Sequence, residues 1–212
     1  MSTALLSTAY FAPVQWYQKL FRYHEVVIEQ YDNYTKQTYR NRCVIAAAQG
    51  CQTLSIPVEP APQSSADGKI LMRDVKISDH GNWRHLHWKA LASAYGESPF
   101  FEYYQDDIRP FYERQWKYLV DFNMEITAKM CELLDISPSI SLSQEYLPVE
   151  AISGTSSITD FRDVIRPKHP LADDTFHPKP YWQVFAHKHG FLPNLSILDL
   201  LFNQGNEAVL WL

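Results

Sequence analysis

Residues 31–42, YDNYTKQTYRNR, set one lysine, two arginines and three tyrosines among asparagine, aspartate and threonine, between two apolar runs. Lys36, Arg40 and Arg42 fall between a strand-like EVVIE (25–29) and a second run that begins at Cys43. Ligands of open α/β sheets gather at such strand ends. With 39–43 extended, Arg40 and Arg42 share one face and Tyr39 and Asn41 the other. Two guanidiniums on one side suit bidentate capture of a phosphate or carboxylate. Asp32 and Asn41 add hydrogen-bonding groups, and Tyr34 adds a ring that can stack. The same pattern also describes a solvated strand edge kept apart from other chains by charge.

A second polar group lies in SDHGNWRHLHW, 78–88. His85 and His87 are about 200° apart on a helix, so they do not converge on a metal. His87 falls within the apolar stripe of Trp83, Leu86, Ala90, Leu91 and Ala94, as a hydrogen-bonded core histidine would. His80 precedes Gly81 and the start of the helix, where free N–H groups favour an anion. Asp79 and His80 are therefore the candidates for proton transfer, with Asn82, Trp83 and Arg84 as substrate-binding neighbours. Asp79 and Asn82 could equally serve only as helix caps. No metal site is read from the histidines, and no Walker loop, GxSxG, HExxH or dinucleotide glycine pattern occurs, so no cofactor is assigned.

The elements that must position these residues follow from spacing. Pro13 opens a helix over VQWYQKLFRY, and EVVIE reads as a buried strand. CVIAAA (43–48) and QTLSIPVE (52–59) flank a turn at Gln49-Gly50 and predict a hairpin. ILMRDVKI (70–77) predicts another strand, 83–95 a helix after Asn82, and Asp106 or Asp107 with Pro110 a long helix to about Asp135. A short strand is expected within 139–146, loops over 60–68 and 148–174, and closing helices over 180–189 and 196–203. The fold class is α/β: a small sheet with an N-terminal strand–helix–strand unit and a helical C-terminal half. One domain is expected over 1–212, with the sheet in about 1–80 and mainly helix in about 81–212.

Composition limits the function classes. The net charge of −5 argues against general nucleic-acid binding, which needs a basic field. Three cysteines without CxxC spacing suggest thiols of the cytoplasm. The start MSTALLSTAYFAP has no basic region before its apolar residues, so neither signal peptide nor membrane span is expected. The partner that these features describe is an anionic or sugar-like small molecule.

Two resemblances add to this reading. FAPVQWYQ (11–18) is similar in spacing to the Phe-x-Pro-x-His-x-Gly-His element of nucleotidyltransferases, with Gln15 and Gln18 at its histidine places. More of the chain resembles the WbqC-like proteins: YFAPVQWYQKL (10–20), NYTKQTYRNRC (33–43), ISDHGNWRHLHWKAL (77–91), SPFFEYYQDD (98–107) and GFLPNLSILDLLFN (190–203). Where members often carry an acidic pair before the Tyr-Thr-Lys segment, this chain has Gln30 and Tyr31, with Asp32 next. That family is associated with O-antigen and other surface-polysaccharide gene clusters. The resemblance implies a role in making or modifying an activated sugar, with Arg40, Asn41, Arg42, His80, Asn82 and Trp83 in a shared site. With the two polar clusters, the leading expectation is a cytosolic transferase for a nucleotide-linked or phosphorylated sugar, Lys36, Arg40 and Arg42 binding its anionic part. A non-catalytic binding or scaffold protein for polysaccharide enzymes is the alternative, with exposed Tyr and Trp as its interface.

Overall fold

A computed structural model describes residues 2–60, 69–152 and 157–212. The first strand, β1 (Thr3–Ser7, TALLS), is apolar on both faces, as a central parallel strand must be. Pro13 then sets the start of α1 (Val14–Arg22), whose Trp16, Tyr17 and Leu20 are buried. This helix carries the chain over to β2 (Glu25–Glu29), which pairs in parallel with β1 from Thr3↔Glu25 to Ser7↔Glu29.

The expected hairpin forms from β3 (Arg42–Ala47) and β4 (Gly50–Ser55) and stands apart as a two-stranded sheet. Gly50 holds φ at +108°, a conformation that favours glycine, at the close of the turn. The helical half comprises α2 (Trp83–Tyr95), α3 (Phe101–Ile108), α4 (Pro110–Glu113) and α5 (Leu119–Leu133). Then follow β5 (Ile140–Leu142), α6 (Val149–Ile152), β6 (Ile158–Asp160), α7 (Ala186–His189) and α8 (Ile197–Gln204). The main sheet is parallel in the order β5-β2-β1-β6. The chain is thus mixed α/β, with a strand–helix–strand start and helices filling much of the C-terminal half. One apolar cluster runs from Ala4 to Leu212 and joins sheet and helices.

Five expectations are corrected. Tyr39–Asn41 is a single 3₁₀ turn rather than extended chain, so Arg40 and Arg42 do not share a strand face. The Asn123 amide donates to the Arg40 carbonyl at 2.8 Å and the Asn41 amide to the Ile56 carbonyl at 2.8 Å, which fixes that turn. Residues 70–77 hold a 3₁₀ turn at Met72–Asp74 and isolated bridges instead of a strand. Their N–H groups at Met72 and Arg73 go to the carbonyls of Asp32 and Gln30.

The long helix to Asp135 is broken: Pro110 starts α4, Arg114 is extended, and α5 begins only at Leu119, where its N–H reaches the Val75 carbonyl. The stretch 148–174 contains α6 and β6, too short to show periodicity, and only one turn of the closing helix over 180–189 forms. Residues 61–68 of the loop expected over 60–68, and the Gly154, Thr155 and Ser156 part of the next, lie outside the described residues.

Ser196 caps α8: its Oγ accepts from the Leu198 N–H at 3.3 Å and donates to the Phe11 carbonyl at 2.8 Å. Ser196→Ala is expected to cost about 1 kcal/mol. Calorimetry should show this as a fall of about 2–4 °C in the melting temperature. An unchanged melting point would remove the cap from the account. Among the described residues, no helix is long and apolar enough to cross a membrane.

Candidate functional site

Three strands of the parallel sheet end in polar residues: Ser7 on β1, Glu29 on β2, and Asp160 on β6, with Arg162 two places on. The connection from β1 turns toward β2, while β6 lies on the other flank of β1. Their C-terminal ends therefore meet at a topological switch point, where open α/β sheets form a crevice.

Glu29 has no solvent exposure. Its carboxylate accepts from Ser143 Oγ at 2.7 Å, the Tyr31 N–H at 2.8 Å and the Leu147 N–H at 3.0 Å. Arg162 approaches it at 3.4 Å through Nη1 and holds Asp160 through Nε at 3.0 Å and Nη2 at 2.6 Å. The Arg162 guanidinium also lies over the Tyr146 ring, 5.4 Å from its centroid.

Next to this group, Arg40 Nη2 donates to Asp32 Oδ2 in a buried ion pair. Burial pushes the Asp32 carboxyl above its ordinary value, against the opposing pull of Arg40. Asp32 Oδ1 and Arg40 Nε are buried and have no hydrogen-bond partner. These groups border a cleft of about 480 Å³ lined by Tyr31, Asp32, Arg40, Tyr146, Arg162 and Asp163, among others. A much smaller cavity, about 10 Å³, also shares Arg40 and Arg162 and is bounded by Ser7, Thr8 and Thr38.

The structure thus joins Asp32 and Arg40 of the expected site with Glu29, Asp160 and Arg162. Tyr34 is half-buried, which raises its phenol, while Arg42 and Arg40 lie close enough to oppose the rise. Arg42 starts β3 with a buried, unpartnered Nε, Asn41 is spent on the Ile56 carbonyl, and Lys36 is exposed.

The second group occupies a separate cleft of about 320 Å³, lined by Asp79, Asn82, Arg84, Trp88, Arg109 and Glu113 among others. It shares no lining residue with the first. Asp79 accepts from Arg84 at 2.6 Å, and His80 is exposed. Asn82 adopts φ 49° at the start of α2 and makes no side-chain cap bond. Trp83, expected among the substrate-binding residues, is only 3% exposed; its Nε1 donates to the Ser78 carbonyl and its ring packs on His87 at 5.2 Å. It has no open face to offer. His87 is the core histidine expected, with Nδ1 3.0 Å from the Tyr10 hydroxyl and its pKa lowered by burial to about 4.

The nucleotidyltransferase-like element is also occupied by its own fold. The Val14 N–H at the start of α1 donates to the Leu195 carbonyl at 3.0 Å, and the Gln15 N–H to Asn194 Oδ1 at 3.0 Å. Gln15 donates to Asp173, and Gln18 accepts from Lys19. The helix terminus that would receive a phosphate in that pattern is closed by residues 194–195.

Glu29 had one sequence signal, a carboxylate closing an apolar strand. Arg162 had none, because β6 was not legible as a strand.

No solved structure matches the chain. The uncharacterized protein Rv1507c of Mycobacterium tuberculosis is 29% identical over 202 residues, which cover 87% of this chain and 85% of that protein. Residues 8–165 match the WbqC-like protein family, a stretch that takes in Asp32, Arg40 and Arg162 together. The two polar clefts are therefore features of a chain that belongs to the WbqC-like protein family.

Proposed function

We propose that the chain is a transferase acting on a nucleotide-linked or phosphorylated sugar in the assembly of a surface polysaccharide of the O-antigen type. The sugar lies in the cleft at the C-terminal edge of the parallel sheet. The observation that carries this reading is the run of carboxylates and guanidiniums on its wall, Asp32, Arg40, Arg162 and Asp163, beside Tyr31 and Tyr146, with Arg162 held from behind by Glu29 and Asp160. Carboxylates accept from sugar hydroxyls, guanidiniums bind an oxyanion, and tyrosine rings pack against a sugar face. Arg40 and Arg42, with Tyr34 between their fields, hold the anionic part. Proton transfer falls to Asp32, whose free Oδ1 and raised carboxyl suit a general base better than the exposed His80 or than Asp79 in the other cleft. The three cysteines are all free, which supports action in the reducing cytoplasm.

The scaffold reading has less support. Trp16 and Trp83 are buried, and the well-exposed Tyr103 and Trp182 stand on different segments. A thermal-shift screen against nucleotide sugars and sugar phosphates tests the proposal. A true ligand at a hundred times its Kd adds about 2.7 kcal/mol of stability. Asp32→Asn should keep that shift and lose about 10²-fold or more in turnover. No shift with any sugar, together with recovery of polysaccharide enzymes as partners, would favour the scaffold.

A further inference from the structure

Beneath the cleft, the small cavity at the switch point is walled by Ser7, Thr8, Ala9, Thr38, Arg40 and Arg162 among others. Ser7 Oγ, Thr8 Oγ1 and Arg40 Nε are all buried and all without a hydrogen-bond partner. Thr8 is 1% exposed. The preceding Ala4–Leu5–Leu6 of β1 is apolar and buried, and alanine or valine at Ser7 and Thr8 would satisfy the core without leaving polar atoms unpaired. Unpaired buried polar groups cost stability, and groups kept at such a cost mark places where a partner arrives from outside. All three can donate, so the partner they call for is an acceptor, and the neighbouring Arg162 favours one that carries negative charge. About 10 Å³ admits one oxygen-sized group.

We infer that this cavity is an oxyanion seat: it takes one oxygen of a carboxylate or phosphate on the ligand, while the remainder of a polyhydroxylated ligand lies in the open cleft. The inference rests on the proposed sugar-binding role of that cleft and specifies the class of sugar, one that bears an acidic group directly. Ser7 and Thr8 are then specificity-determining residues at the end of β1.

The test is Ser7→Ala/Thr8→Val, examined by thermal shift and calorimetric titration with glucuronate, glucose 1-phosphate and neutral glucose. The wild type should respond to one or both acidic probes and not to glucose; which acidic probe acts tells carboxylate from phosphate. The double variant should melt at the same temperature as wild type or higher, and bind the acidic probe at least about tenfold more weakly, the loss expected for charge-assisted hydrogen bonds. A merely structural role for the hydroxyls predicts the reverse, a lower melting temperature with unchanged binding, and would overturn the inference. A wild type blind to both acidic probes would overturn it too. If a nucleotide sugar stabilises both proteins equally, the oxyanion seat falls while the transferase reading stands.

Discussion

Arg162→Met is expected to destabilise the protein by about 3–5 kcal/mol, the usual cost of removing one partner from a buried ion pair. The Arg162 side chain is 7% exposed and contacts Glu29, which is fully buried, and Asp160 together. Without it, Glu29 retains the neutral donors Ser143 Oγ and the N–H groups of Tyr31 and Leu147, but no positive charge within the group. Because Glu29 ends β2 and Arg162 follows β6, the loss acts on the two strands that flank β1 and so on the floor of the cleft. Glu29→Gln in the Arg162→Met background should recover a large part of the loss, since an amide needs no counter-charge. Arg162→Lys should fall between, keeping charge but not the fork that engages Asp160 through two nitrogens. Urea denaturation of the four proteins checks this. An Arg162→Met variant within about 1 kcal/mol of wild type would mean that solvent already screens the group as at an exposed pair.

Arg162 also shows where sequence reasoning reaches its limit. The elements marked by strong local signals were legible: Pro13 between an apolar strand and an amphipathic helix, the turn before Gly50, and Ser196 before ILDLL. So was the density of polar side chains at 31–42, which contributes Asp32 and Arg40 to the cleft. Their pairing was not, because it depends on a 3₁₀ turn that Asn123, over eighty residues later, holds in place. Three-residue β6 carries no measurable period, and its place beside β1 comes from hydrogen bonds such as Phe161 N–H to the Leu5 carbonyl. Trp83 was legible on the apolar stripe of its helix, but the aromatic layer of His87, Tyr112 and Phe122 that closes it to a ligand was not, because it gathers from three helices.

Lys19 and Asp173 give the second large effect, and here the result depends on pH. Lys19 Nζ is 2.6 Å from Asp173 Oδ2, with side chains 1% and 5% exposed, and the pair ties α1 to the 173–175 turn. The partners shift differently. Burial lowers the Lys19 ammonium, so its desolvation opposes folding throughout the neutral range. Burial would raise the Asp173 carboxyl, but hydrogen bonds from Lys19, Thr175 and Gln15 outweigh it and hold it at about 2. A carboxylate with a depressed native pKa binds its proton more readily when unfolded. Its contribution is therefore full above the unfolded value of 3.8 and is lost as pH falls through 2. Across that window about 2 kcal/mol should disappear.

Asp173→Leu alone should cost about 3–5 kcal/mol at pH 7, because it strands the Lys19 charge. Lys19→Met/Asp173→Leu should come close to wild type, since it removes the desolvation cost along with the attraction. Urea denaturation at pH 7, 4, 3 and 2 separates the contributions: wild type and the double variant should be close at pH 7, wild type should lose more stability below pH 4, and a gap of about 2 kcal/mol should open between them toward pH 2. Parallel curves for the two proteins would show that acid sensitivity resides elsewhere, and would reduce the pair to a neutral tether between α1 and its covering loop.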